Sequence, residues 1–358
     1  MFRPRLALAA GFAACIFVPA SAHAATKTVI AGPLHIVKGV LGGSAQADAD
    51  SFSLTTVTIH VGDKVRWKFT SNNTVTFRKN GHGDIPLVIQ NSFATYDGIN
   101  DAAGSPFWFN NTPEYVLNPQ AVLLQGKTTE NGGDVTGSGA VFDGSLPKPY
   151  TLKFTRVGTY VYASTLHPDM KAKVVVVSRH RHIPSARDDH AQANSIFRAE
   201  LKAAKGGRKF TPPKDTIQAG NDTLSVVQYA FFPQTLHVAV GTKVTVQVKS
   251  LPESHTFTFG PADYLQNLAN NFEVPIQPAT GPAKIELNGQ LSLPSDPGPN
   301  LPAYDGTNHG NGFYNTGILD GNKISPRPSS ETITFSKAGT YTYTDLLHPS
   351  MHGTVIVG

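Results

Sequence analysis

The chain carries one pattern twice, and this repetition limits its folding more than any other feature. "TIHVGDKVRWKFTSNNTVTF" at 58–77 has a counterpart in "TLHVAVGTKVTVQVKSLPESHTFTF" at 235–259. "VGTYVYASTLHPDMKAKVVVV" at 157–177 has one in "AGTYTYTDLLHPSMHGTVIVG" at 338–358. Gly62 recurs at Gly241, His167 at His348 and Met170 at Met351, all at an offset of about 180 residues. Two separated segments sharing nearly one offset mean two copies of one domain. The copies read as 25–178 and 216–358, with a leader at 1–24 and a linker at 179–215.

Within each copy, short runs alternate apolar and polar residues: "TVTIHV", "KVRWKF", "KVTVQV", "HTFTF", "ETITF", "TYTYT" and "GTVIV". A period of two gives a strand with one buried and one wet face. The chain is only 15% charged, with 33 Gly and 26 Pro to break it into short elements. Seven or so such strands per copy predict an all-β protein of two tandem Greek-key β-sandwiches. Long Gly-, Pro- and Asn-rich regions, roughly 78–150 and 260–330, are expected to add strands and to reach over one end of each sandwich. The linker predicts a helix over 188–204, with acids in its first turn, Lys in its last, and Ile196, Phe197, Leu201 and Ala204 on its apolar face.

The first 24 residues read as a secretory signal: "MFRPR", an apolar stretch, then "SAHAA", with cleavage expected after Ala24. This places the mature chain outside the cytoplasm, secreted or periplasmic. No later stretch is long and apolar enough to predict a membrane span. The only cysteine, Cys15, falls inside the leader, so the mature chain has neither a disulfide nor a thiolate ligand. The net charge of +5 falls to about +3 without Arg3 and Arg5, and no basic stripe suggests nucleic acid.

Both copies resemble the cupredoxins, the plastocyanin- and azurin-like family. The resemblance rests on a Gly-rich turn before a strand, a first His in "HTFTF", and the terminal "GTYTYTDLLHPSMHG". In that family two His, one Cys and a weak axial Met converge at one end of the sandwich and hold copper. Carried onto the second copy, the resemblance implies His255 and His348 as the imidazoles and Met351 as the axial donor, with Asp345 at the cysteine position. In the first copy the same positions hold Asn73, Ser164, His167 and Met170. Two imidazoles and a carboxylate suit a divalent ion, and the Irving–Williams order favours Cu(II) over Zn(II) for equal donors. Such a copper site would be of the ordinary tetragonal kind, colourless beside a thiolate centre and poor at electron transfer.

The resulting expectation is an exported, non-enzymatic protein with one copper ion in the second copy, serving copper binding, storage or delivery. A second reading treats His255, Asp345 and His348 as a degenerate, metal-free set, with Asp345 capping its loop through backbone N–H groups. The chain would then be a binding or structural module for another exported protein or a cell-envelope component, with Trp108 and Phe109 of "SPFWFNNTPEY" as possible contacts. An electron-transfer role is disfavoured by the missing cysteine. His352 and His309 are possible auxiliary ligands, and "RHRH" at 179–182 reads as a solvated charge run.

Overall fold

The computed structural model describes residues 24–33, 46–78, 85–123, 127–141, 145–167, 169–207, 210–223, 225–250, 253–276, 284–298, 303–322, 325 and 327–358. The expected leader, with Cys15, lies outside the described residues. The chain is all-β in its main architecture, and the strands sort into two sandwiches. In the first, Thr26–Ala31, Lys64–Phe69, Tyr150–Phe154 and Thr129–Glu130 lie side by side in that order. They face a sheet of Thr56–His60, Lys171–Val177, Gly158–Ala163, Thr76–Phe77 and Thr136–Gly137. In the second, Phe231–Phe232, Thr216–Ala219, Lys243–Val248 and Ser330–Thr334 face Thr235–Val238, His352–Val357, Gly339–Thr344, Thr258–Phe259 and Tyr314–Asn315. The same neighbours run parallel in both: Thr26–Ala31 with Lys64–Phe69, and Thr216–Ala219 with Lys243–Val248. The repeated sequence therefore builds a repeated topology.

Alternation explains the packing. In Lys64–Phe69, Val65, Trp67 and Phe69 are buried while Lys64, Arg66 and Lys68 face water. Trp67 packs edge-on against Tyr162, ring centroids 5.2 Å apart, and against Phe77 at 5.7 Å. Phe257, Phe259 and Tyr343 fill the second core. Full burial of each such aromatic contributes about 1.5–3 kcal/mol. Tyr162 and Tyr343 are core residues, as their place in the strands suggests.

The linker helix runs Ala186–Gly207. Its start is fixed by reciprocal bonds between Ser185 and Asp188: the Ser185 N–H donates to Asp188 Oδ2 at 2.9 Å, and the Asp188 N–H donates to Ser185 Oγ at 3.3 Å. The helix touches both sandwiches. Lys27 pairs with Asp189 at 2.5 Å on the first, and Ser225 donates to Glu200 at 3.0 Å on the second. Of the expected apolar face, Ala204 is fully buried and Ile196, Phe197 and Leu201 are half-buried, while Glu200 is buried beside them. No described helix is long and apolar enough to cross a membrane.

The sandwiches also share structure directly. Gln46–Ala49 pairs antiparallel with Val226–Tyr229 across the two copies. The long excursions join one four-stranded sheet: Glu273–Ile276, Lys284–Leu287, Pro113–Leu117 and Val88–Thr95. Tyr96, Phe107 and Phe109 of the first excursion pack with Leu265, Leu291 and Phe313 of the second. Phe109 is therefore core rather than a contact surface, and the half-exposed Trp108 is tied by its indole N–H to the Pro294 carbonyl at 2.8 Å.

Candidate metal centre

The loop after Gly339–Thr344 is closed by its own backbone. The Met351 N–H donates to the His348 carbonyl at 2.8 Å, and the Asp345 N–H donates to the Met351 carbonyl at 3.2 Å. The Thr344 hydroxyl adds a bond to the same carbonyl at 2.9 Å. The first copy repeats this closure, with Met170 N–H to the His167 carbonyl at 2.9 Å and Ser164 N–H to the Met170 carbonyl at 3.0 Å. His255 arrives from the strand Ser254–His255, held in register against Leu319–Asp320.

Asp345 is completely buried, and its two oxygens have different tasks. Oδ1 accepts from the Thr256 N–H at 3.0 Å, the Leu347 N–H at 3.0 Å and the Thr256 hydroxyl at 3.2 Å. This is the loop-capping role that a degenerate site would need. Oδ2 has no backbone donor. It lies 2.7 Å from His255 Nδ1 and 2.8 Å from His348 Nδ1. Two imidazole nitrogens and one carboxylate oxygen thus converge on one point, with all three ligand atoms within 4.8 Å of one another. His255 is fully buried, whereas the His348 side chain keeps 21% exposure and marks the route from solvent. Met351 is buried in the core of the same sandwich and frames the loop through its backbone.

The site does not end at the second sandwich. Glu253 stands with Oε2 3.5 Å from His348 Nε2 and Oε1 2.9 Å from His167 Nε2 of the first sandwich. His167 Nδ1 lies 2.6 Å from Asn73 Oδ1 and 3.5 Å from Asp50 Oδ1. The rims of the two sandwiches that carry the repeated His-containing loops therefore face each other. A continuous row of alternating acids and imidazoles runs between them.

Burial alone would push His348 down, but the adjoining Asp345 carboxylate and Glu253 outweigh it and hold the imidazole at about 10. Burial likewise opposes charge on His167, yet Asp50 and Glu253 raise it to about 9. Asp345 and Glu253 lie well below the usual carboxylate range, because the imidazoles beside them overcome their own desolvation. Burial dominates at Asp50 and lifts it to about 7.

These shifts set a pH dependence for the metal-free protein. His348 and His167 hold protons more tightly when folded, so their contribution is complete below the ordinary imidazole value of 6.5. It is lost as pH rises through about 9 and about 10. Asp50 acts in the same direction, weakening the fold as pH climbs from 3.8 towards about 7. Asp345 and Glu253 act oppositely and lose their contribution as pH falls below the ordinary carboxylate range. The urea midpoint of the metal-free protein is expected to peak on the weakly acid side and to decline from pH 6.5 to 10. A midpoint that rises over this interval would contradict the charge assignment.

Of the other histidines, His309 bridges Asp101 at 3.1 Å and Asp296 at 3.2 Å, away from this centre. His352 is exposed at the start of the outgoing strand, and His180 and His182 are exposed in the segment after Lys171–Val177. Glu253 and Asp50 were not singled out by the sequence. Glu253 lies two residues before His255, which puts both on one face of an extended segment. Asp50, in "ADADSFS", sits in no pattern that marks it.

The donor set fits copper chemically: two imidazoles and a carboxylate on a packed rim, with a carboxylate oriented on the outer nitrogen of His348. No protein-family model and no curated protein matches the sequence. Among solved structures, a Cu(I) form of amicyanin aligns at 16% identity over 42% of this chain and 89% of its own, with a TM-score of 0.22. Auracyanin A, a blue copper protein of Chloroflexus aurantiacus, aligns at 24% identity over 41% of this chain and 99% of its own, with a TM-score of 0.24. At these scores the likenesses carry no inference about this chain's chemistry.

Proposed function

We propose that the chain is an exported, non-enzymatic, cupredoxin-like protein that binds one copper ion in its second sandwich, for copper binding, storage or delivery. His255 Nδ1, His348 Nδ1 and Asp345 Oδ2 are its principal donors, with Met351 as the weak axial one. The observation that carries this reading is the meeting of both imidazoles at the one oxygen of Asp345 that no backbone donor occupies. Bound there without a thiolate, Cu(II) would supply a stable, weakly coloured site rather than a fast electron carrier. The protein's own part is to hold the donors still. Oδ1 is anchored by Thr256 and Leu347, and Glu253 orients the outer nitrogen of His348.

One observation favours a metal-free reading. The His255–Asp345–His348 set is closed by hydrogen bonds without an ion, so it serves equally as a structural rim for a binding module. Calorimetric titration of the full chain with Cu(II) separates the two. Under the copper reading, His348→Ala weakens binding at this site by about 100-fold or more, since the change removes a ligand rather than only its outer partner. Undiminished affinity in that variant, or no binding in the unaltered chain, would reject the assignment.

A further inference from the structure

The row of side chains between the sandwiches contains a second convergent set, Asp50, His167 and Glu253, whose ligand atoms also lie within 4.8 Å of one another. We propose that this set is a separate site for a divalent ion of the Zn(II) kind, built by the two copies together: Asp50 and His167 from the first, Glu253 from the second. Neither copy holds the three donors alone.

Three features argue for it. His167 Nδ1 is engaged by Asn73 Oδ1 at 2.6 Å, which leaves Nε2 as the nitrogen facing Glu253. An imidazole whose other nitrogen is fixed by an oxygen acceptor is the usual arrangement of a metal-ligating histidine. Asp50 is buried, at 3% relative exposure; its Oδ1 lies 3.5 Å from His167 Nδ1, and its Oδ2 has no hydrogen-bond partner. A buried carboxylate oxygen left without a partner is unfavourable unless a cation or proton meets it. Finally, the His167 and Glu253 side chains keep 13% and 11% exposure, so the site is reachable from solvent. One imidazole and two carboxylates suit Zn(II). The ion would displace the proton on His167 Nε2, which passes to solvent, and Glu253 Oε1 would exchange that N–H for the metal.

The site uses the repeated loop of the first copy in a different way from the second. There both histidines turn Nδ1 towards one carboxylate, whereas His167 turns Nδ1 to the Asn73 amide oxygen, with Asp50 Oδ1 at 3.5 Å, and offers Nε2 to Glu253 across the interface.

The test is calorimetric titration of the full chain with Zn(II) alone, with circular dichroism as a folding control. The unaltered chain is expected to bind two equivalents, and Asp50→Asn, which preserves shape, one. In a His255→Ala background, which removes the other site, one equivalent should remain. Adding His167→Gln or Asp50→Asn should weaken it by about 100-fold or more. The proposal is overturned if the His255→Ala chain binds no Zn(II), or if neither added change affects what it binds. Zn(II) binding that is lost with His167→Gln but indifferent to His255→Ala would sustain this site as the one that holds Zn(II).

Discussion

Asp345→Ala is expected to lower the stability of the metal-free protein by about 3–5 kcal/mol, as for the loss of one partner from a buried charged set. The melting temperature should fall on the order of 10 °C. The size follows from how much the carboxylate does. Its removal leaves the Thr256 and Leu347 N–H groups without an acceptor and strands the His348 cation beside a fully buried His255. Differential scanning calorimetry on chelator-treated protein checks this. A loss below about 1 kcal/mol, the range of an exposed pair, would mean that Asp345 is not the hub of the rim.

Glu253→Ala should give the next largest effect, about 3 kcal/mol, because one carboxylate serves an imidazole on each sandwich. The milder Glu253→Gln keeps the shape and removes the charge. Asp50 then opposes burial at His167 without Glu253, and the titration midpoint should fall below about 9. Ring-proton NMR titration of the metal-free protein reads this directly. An unmoved His167 midpoint would show that Asp50 alone sustains it and that the rims are not coupled through Glu253.

The doubled sandwich is legible in the sequence because each level agrees with the next. "KVRWKF" and "KVTVQV" alternate strictly, the Gly62 and Gly241 turns precede them, and the offset recurs at His167 and His348. The helix is legible for a similar reason. Its acids and its last-turn Lys bracket the span, and the observed Ala186–Gly207 extends the expected one only at its ends. What the sequence hides is how the copies meet. The pairing of Gln46–Ala49 with Val226–Tyr229, and the sheet built from both excursions, depend on which distant edges find each other. Local pattern does not encode that choice. The same limit divides the site. His255, Asp345 and His348 follow from spacing within one copy, whereas Glu253 and Asp50 acquire their roles only when His167 is brought against them from across the interface. The placement of Phe107 and Phe109 in the core depends on the same choice, since their packing partners include residues of the other copy's excursion.

Shared strands also bear on how the protein should be studied. A first copy separated from the second loses the partner of Gln46–Ala49 and one of the two neighbours of Pro113–Leu117, so it exposes strand edges that the whole chain covers. Metal binding is therefore best measured on the full chain.

On the proposed function, His255, Asp345 and His348 share one copper ion. Electron paramagnetic resonance of the full chain loaded with one equivalent of Cu(II), compared with His255→Ala, is the test. The unaltered chain is expected to give a thiolate-free Cu(II) spectrum with coupling to two imidazole nitrogens, reduced to one or abolished in the variant. A spectrum identical in the two proteins, or no protein-bound Cu(II) in the unaltered chain, would contradict it.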